Sequence, residues 1–209
     1  AGTLMDPRLG TNEKNVENKI SELDYKHDPG NFGYLKLAKP VIQAKYLEYI
    51  VKILNMVCYK CSNILLPPEE IEHVRSMKSQ KARLSYVKTA TAKRPLKCFK
   101  CGADAPKFGK GKDKAIVYQI IGTLLKGSSN TDEKKVETYN PEVILKIFKS
   151  ITDDDCMLMG FDPKLARPDY MIWTVMPIPP PTVRPSIKLD NGQQAEDDLT
   201  MILNHIINS

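Results

Sequence analysis

Two Cys-x-x-Cys pairs, Cys58-Tyr59-Lys60-Cys61 and Cys98-Phe99-Lys100-Cys101, constrain this chain more than any other feature. Two thiolates on a tight knuckle turn can reach one tetrahedral metal ion, and two such pairs complete a four-cysteine shell of the kind that holds structural Zn2+. A closed four-thiolate shell leaves no position for a substrate, so its role would be structural. The 36 residues between Cys61 and Cys98 exceed the usual zinc-ribbon spacing, so the metal would tie together the ends of an insertion spanning 58–101. Two unrelated pairs of buried thiols, or a redox dithiol, are the alternatives at this level. Cys156 makes the cysteine count odd, which points to metal binding in a reducing, intracellular compartment and away from a disulfide framework.

Apolar spacing around these pairs predicts an α+β fold of helices mixed with short strands. Tyr34–Val41 reads as a strand, and 44–57 as a helix with Tyr46, Leu47, Ile50, Val51, Ile53 and Leu54 at helical spacing. Pro67-Pro68-Glu69-Glu70 places proline and acid where a helix starts, so 68–77 and 80–92 read as two helices inside the insertion. Residues 114–125 suit a strand, and 127–135 (GSSNTDEKK) a polar loop. Asn140-Pro141-Glu142 opens a helix to about Ser150, and Thr152 opens another. The three carboxylates that follow, Asp153 to Asp155, then belong to a favourably charged first turn and not to a magnesium triad. Residues 107–112 (KFGKGK) have Asp113 where a phosphate loop needs a hydroxyl and read as a basic turn.

Five of the nine residues from Pro177 to Pro185 are proline, which favours an extended strut of polyproline II geometry. The loop beyond it, 186–196, is pinned between Pro185 and a helix starting at Asp197-Asp198-Leu199, with a turn-prone tip at Asp190-Asn191-Gly192. Leu189 stands between polar neighbours, either exposed or packed back on the strut. This reading divides the chain into residues 1–176, which include the metal-tied insertion, and 177–209.

Charge is concentrated. Between Arg75 and Lys114, 13 Lys or Arg face only Asp104 and Asp113, so these 40 residues carry +11 against +6 for the whole chain. Such a surface favours polyanions, with Lys93, Arg94, Lys97 and Lys100 as candidates for sequence-independent contacts to a nucleic-acid backbone; a solvated basic face is the alternative. Phe99, Phe108, Tyr86 and Tyr118 lie among these charges, and aromatics at such spacing more often join a core than stack on bases. The longest apolar stretch, Ile116–Leu125, is broken by Gln119 and is too short to cross a bilayer, and Ala1–Gly10 lacks the apolar run of a signal peptide. Cys156, His73 and His205 have no partner evident in the sequence.

Several segments, in order, resemble one family. Met5-Asp6-Pro7-Arg8-Leu9-Gly10 is similar to a DPR-x-G opening, Pro29-Gly30-Asn31-Phe32-Gly33-Tyr34 to PGHFGH, and Leu37-Ala38-Lys39-Pro40-Val41 to LAKPV. Residues 153–172 (DDDCMLMGFDPKLARPDYMI) resemble D-x-x-x-LGF-x-x-x-x-x-RP-x-WMI, and Trp173–Leu199 resemble the segment that reads MI-x-TV-LPVPPPPVRPS followed by a variable loop and EDDLT. The family is the largest subunit of multisubunit DNA-directed RNA polymerases, in its N-terminal clamp region, of the nuclear polymerase II and viral kind. The resemblance implies a clamp that closes over DNA and the RNA–DNA hybrid, and a lid at Lys188, Leu189, Asp190, Asn191, Gly192, Gln193 and Gln194 beside the upstream end of the hybrid. It implies as partners the second-largest subunit, the other polymerase subunits, and initiation and elongation factors, with no membrane. It also implies location in the nucleus, or in host cytoplasm or virion for a viral enzyme. NADFDGD, whose aspartates hold catalytic Mg2+ in the family, is not among these 209 residues, so the expectation is a piece or a split part of that subunit with magnesium held elsewhere in the enzyme. A free-standing zinc-stabilised nucleic-acid-binding module and a factor-docking platform are the alternatives.

The family resemblance independently implies zinc at Cys58, Cys61, Cys98 and Cys101. It also implies a second zinc with the pattern C-x2-C-x6-C-x2-H, which falls here on Asn18, Ser21, Asp28 and Asn31. None of the four is a thiolate or imidazole, so this loop is expected to be held by hydrogen bonds and packing, and His27 reads as a solvated side chain. The loss suggests a divergent lineage, such as that of a viral polymerase.

Overall fold

The computed structural model describes residues 2–92, 97–110, 120–125, 134–188 and 193–208, without the side chains of 120–125, 134–137, 188 and 194. The chain divides into two compact units: residues 38–174 form one, and 1–37 together with 175–209 form the other. This differs from a division at 176/177, because the amino-terminal loops pack on the proline-rich segment, as in the Asn12 bond to Pro181 O across 169 residues. Strand β1 (Gly33–Ile42) carries the chain from the second unit to the first, and β5 (Ile172–Ile178) carries it back.

In the unit formed by 38–174, a 3-10 turn at Ala44–Tyr46 leads into α1 (Leu47–Leu54), whose Leu47, Ile50, Ile53 and Leu54 are buried. They pack in one core with α4 (Pro141–Lys149), through Ile144, Leu145, Ile147 and Phe148, and with Cys156 and Leu158 of α5 (Asp153–Leu158). The insertion supplies α2 (Pro68–Ser76) and α3 (Gln80–Ala92), contributing Val74 and Val87 to that core. Pro68 occupies the first turn of α2, where its missing N–H is not needed, and Glu69 and Glu70 face the positive end of the helix. Thr152 caps α5, its Oγ1 accepting from Asp155 N at 3.2 Å. Asn140 sits at the N-cap of α4 but makes no side-chain capping bond; Pro141 at the start of that helix already presets its backbone.

Three strands form an antiparallel sheet, β2 (Lys107–Lys110), β3 (Ile120–Leu125) and β4 (Lys134–Tyr139), in the order β2-β3-β4. Lys107–Lys110 is therefore a strand where the sequence suggests a turn, and Lys134 and Lys135 belong to β4 and not to the polar loop. Tertiary contacts explain the first correction. Phe108 N donates to Asn55 Oδ1 (2.9 Å), Asn55 Nδ2 donates back to Phe108 O (3.0 Å), and the Phe108 ring meets Tyr139 edge-on at 5.0 Å. The predicted strand at 114–125 survives as β3, with 114–119 outside the described residues.

In the other unit, Leu4, Ile178 and Leu203 form a small core supported by Leu9, Leu35 and Met176. The proline run is not one extended rod. Pro177 and Ile178 finish β5, after which Val183 N donates to Pro180 O (3.0 Å) and Arg184 N to Pro181 O (3.2 Å), closing turns. Proline's fixed φ suits a turn as well as it suits polyproline II. The turn is held by Arg184, 1% exposed, whose guanidinium donates to Pro179 O (3.0 Å), Thr200 Oγ1 (3.1 Å) and Leu4 O. Beyond it β6 (Ile187–Lys188) pairs antiparallel with β7 (Gln194–Ala195), and α6 (Asp198–Asn208) begins with Leu199 N donating to Asp197 Oδ1 at 2.8 Å.

Candidate metal centre and nucleic-acid interface

The two cysteine pairs sit on knuckles of the same construction. In the first, Cys58 N donates to Asn63 O (2.8 Å) and Ser62 N to Cys58 O (2.9 Å); in the second, Cys98 N donates to Ala103 O (2.9 Å) and Gly102 N to Cys98 O (2.9 Å). Each knuckle turns on a left-handed residue just after its second cysteine, Ser62 at φ 57° and Gly102 at φ 67°. Glycine takes that conformation freely, whereas serine adopts it at a cost that the surrounding bonds must offset. The turn points both thiols of each pair the same way.

The four Sγ atoms lie within 4.8 Å of one another, with Cys58 to Cys101 at 3.6 Å and Cys61 to Cys98 at 3.5 Å. Four sulfurs about 2.3 Å from a central ion would stand about 3.8 Å apart, so the set fits a metal ion in tetrahedral coordination. Cys58 and Cys98 are buried with Leu65, which excludes water from one side of the cluster. Burial pushes the Cys58 thiol up to about 12 and raises Cys98, whereas Cys61, despite its own burial, is drawn down to about 6 by hydrogen bonds from Asn63. Buried neutral thiols beside a thiolate make a site that gains greatly from a cation. Asn63 also joins the knuckles, accepting from Lys100 Nζ at 3.0 Å. Ile64 N donates to the buried Asp155 carboxylate at 3.4 Å, fastening the first knuckle to α5. Neither contact is visible in the cysteine motif.

Arg75, Lys78, Lys81, Lys88, Lys97, Lys100, Lys107 and Lys110 are exposed, and α3 contains no acidic residue. Of the four candidates for backbone contact, Lys93 and Arg94 lie outside the described residues. Lys97 is exposed on a bridge to Asp104, and Lys100 is exposed but engaged with Asn63. Lys110 is paired with Glu48 at 2.8 Å. Arg83 turns inward to cap the end of α2 through Met77 O (2.7 Å). Phe108 is core, Tyr86 is half-buried against His73, Phe99 is 55% exposed, and Tyr118 lies outside the described residues.

Asp153 and Asp155, which follow Thr152, carry structural bonds. Asp153 pairs with Arg167, which also donates to Asp169 (3.2 Å) and Ile151 O (2.8 Å). Cys156 is fully buried, its thiol pushed up to about 11 by that burial. Of the lid positions, Lys188 and Gln194 pair across the β6–β7 ladder and Gln193 is exposed, while Leu189, Asp190, Asn191 and Gly192 lie outside the described residues. No helix among the described residues is long and apolar enough to cross a membrane.

Together these features define an α+β protein whose helical insertion is closed by a four-cysteine centre able to bind a metal ion. Its sequence matches the model of the family RNA polymerase Rpb1, domain 1, over residues 1–209, and the chain belongs to that family. The DNA-directed RNA polymerase subunit Rpo1N of Methanothermobacter thermautotrophicus is 34% identical over 203 residues, covering 94% of this chain and 22% of that protein. The DNA-directed RNA polymerase III subunit rpc1 of Dictyostelium discoideum is 33% identical over 229 residues, covering 98% of this chain and 16% of the relative. DNA-directed RNA polymerase subunit 1 of Acanthamoeba polyphaga mimivirus is 31% identical over 221 residues, covering all of this chain and 15% of its own length. The chain therefore spans less than a quarter of these relatives.

Proposed function

We propose that this chain is a clamp segment of the largest subunit of a DNA-directed RNA polymerase, closing over DNA and the RNA–DNA hybrid during transcription. The observation that carries this reading is the family match over all 209 residues. One structural Zn2+ on Cys58, Cys61, Cys98 and Cys101 holds the ends of the basic insertion, whose exposed lysines and arginines, with Lys93, Arg94, Lys97 and Lys100, contact phosphates. Catalytic Mg2+ is held by other parts of the enzyme. The lid, 188–194, stands on the two-residue β6–β7 ladder, and Leu189 abuts the upstream end of the hybrid to help part RNA from template. The second-largest subunit, the other polymerase subunits and transcription factors are its partners, in a nucleus, a host cytoplasm or a virion.

Two measurements on the assembled polymerase test this. Replacing Lys93, Arg94, Lys97 and Lys100 with Glu should weaken binding to all DNA sequences alike and lower the log–log salt slope by about 0.9 for each phosphate no longer neutralised. An unchanged slope would leave only a solvated basic face. Deleting Lys188–Gln194 should lengthen the hybrid while leaving single-nucleotide addition largely intact, and a hybrid of native length would remove the lid role.

A further inference from the structure

The second metal position implied by the family falls on Asn18, Ser21, Asp28 and Asn31, and these residues do not fit a metal. Asn18 is 1% exposed and Asp28 5%. Asn18 Nδ2 donates to Asp28 Oδ2 at 2.8 Å, and Ser21 Oγ donates to Asp28 Oδ1 at 2.9 Å. Asn18 Oδ1 is taken by Ile20 N at 2.8 Å, and Asn31 turns its side chain away to Arg8 O at 3.3 Å. Asn18 Oδ1 and both Asp28 oxygens thus already accept hydrogen bonds, and the donors of two would-be ligands point at the third. Nearby His27 is exposed and pairs with Asp24 at 2.5 Å.

This cluster grips the turn that leads to β6. A Cβ on Gly10 would meet Asp28 Oδ2 at 2.9 Å and Gly30 Cα at 3.1 Å, so the loop closes tightly around the carboxylate. Gly30, at φ 79°, lies against the proline turn, where a Cβ would meet Pro180 Cβ at 2.4 Å. Thr182 Oγ1 donates to Pro29 O at 3.0 Å, Asn12 Nδ2 to Pro181 O at 2.8 Å, and Asn31 N to Leu9 O at 2.9 Å. We propose that Asp28 is the hub of a metal-free hydrogen-bonded knot that occupies the place of the family's second metal, and that through Gly30 and the 180–182 turn it is a positioning residue for the β6–β7 ladder. The knot stands on the bonds and close approaches above; its consequence for transcription rests on the lid role proposed for 188–194.

The test compares wild-type polymerase, Asp28→Ala, Asp28→Asn and the 188–194 deletion by amide exchange and by hybrid length. Asp28→Ala should speed exchange across Thr182–Ile187 about tenfold or more while leaving α1 unchanged, and should lengthen the hybrid as the deletion does. Asp28→Asn, which keeps the shape but swaps an acceptor for a donor, should give a smaller acceleration in the same segment and guards against general unfolding. Chelation that strips metal from the four cysteines should leave exchange at 182–187 unchanged. Native exchange in Asp28→Ala, or loosening of that segment by chelation, would overturn the knot. Faster exchange and a long hybrid in the deletion, but a native hybrid in Asp28→Ala, would overturn the positioning role alone. A native hybrid in the deletion would refute the lid reading and with it that role, and exchange would then decide the knot by itself.

Discussion

Asp28 and Asp155 are both buried carboxylates, yet their surroundings push them in opposite directions. At Asp28 burial alone would raise the pKa, but hydrogen bonds from Asn18, Ser21 and Gly30 outweigh it and hold the carboxyl below its ordinary value. A depressed pKa contributes stability that is present above the unfolded value of about 3.9 and is lost as pH falls through the folded one. At Asp155 burial prevails over the bonds from Ile64 and Thr152 and raises the pKa, so its contribution is full below about 3.9 and is lost as pH rises through the folded value. Chemical unfolding between pH 3 and 7 should therefore show opposite slope changes: Asp28→Asn removes stability mainly above pH 4, whereas Asp155→Asn removes a decline with rising pH. The cysteines give a third residue-scale prediction. Cys98→Ser should abolish stoichiometric metal and cost several of the roughly 10–16 kcal/mol such a centre contributes to folding. In the wild type, acidification should release the metal, because protons compete for the thiolates. Elemental analysis across pH, and of the variant, measures both.

At the scale of elements, what was legible in the sequence was what local chemistry decides. The start of α3 at Gln80 matches the reading, since Ser79 accepts from Ala82 N (3.4 Å) just where the helix starts. Strand β2 was not legible, because a Lys-Phe-Gly-Lys stretch has turn composition and becomes a strand through Asn55 and Tyr139, both remote in sequence. The proline run was half legible. Its stiffness follows from composition, but its fold into a turn depends on Arg184 reaching Leu4 O and Thr200, which no local pattern announces. The knuckles were read from cysteine spacing alone, whereas Asn63 and Asp155, which brace them, carry no motif. Gly160 shows why a family motif holds a glycine. It ends α5 at φ 83°, and a Cβ there would meet Gln80 O, at the start of α3, at 2.3 Å. Gly160→Ala should destabilise the 38–174 unit by about 2 kcal/mol or more, through left-handed strain plus a clash with backbone that cannot yield. Thr152→Ala, which removes only the cap on α5, should cost about 1 kcal/mol. Denaturant midpoints of the two variants should rank in that order.

For the whole molecule, the two units divide the proposed work. The 38–174 unit carries the four-cysteine cluster and the exposed basic residues, and the unit formed by 1–37 and 175–209 carries the Asp28 cluster, the proline turn and the β6–β7 ladder. Sequence adjacency hid this division, because the amino-terminal loop and the proline turn lie some 150 residues apart, as in the Thr182 bond to Pro29. The family motifs were legible along the whole chain, but not which of them touch. The most direct test of the clamp-and-lid account places a photo-crosslinking side chain at position 189 in the assembled polymerase, halted on a defined template. The account predicts crosslinks to RNA at the upstream edge of the hybrid, moving one nucleotide with each nucleotide added. Crosslinks confined to protein or to downstream DNA would contradict it.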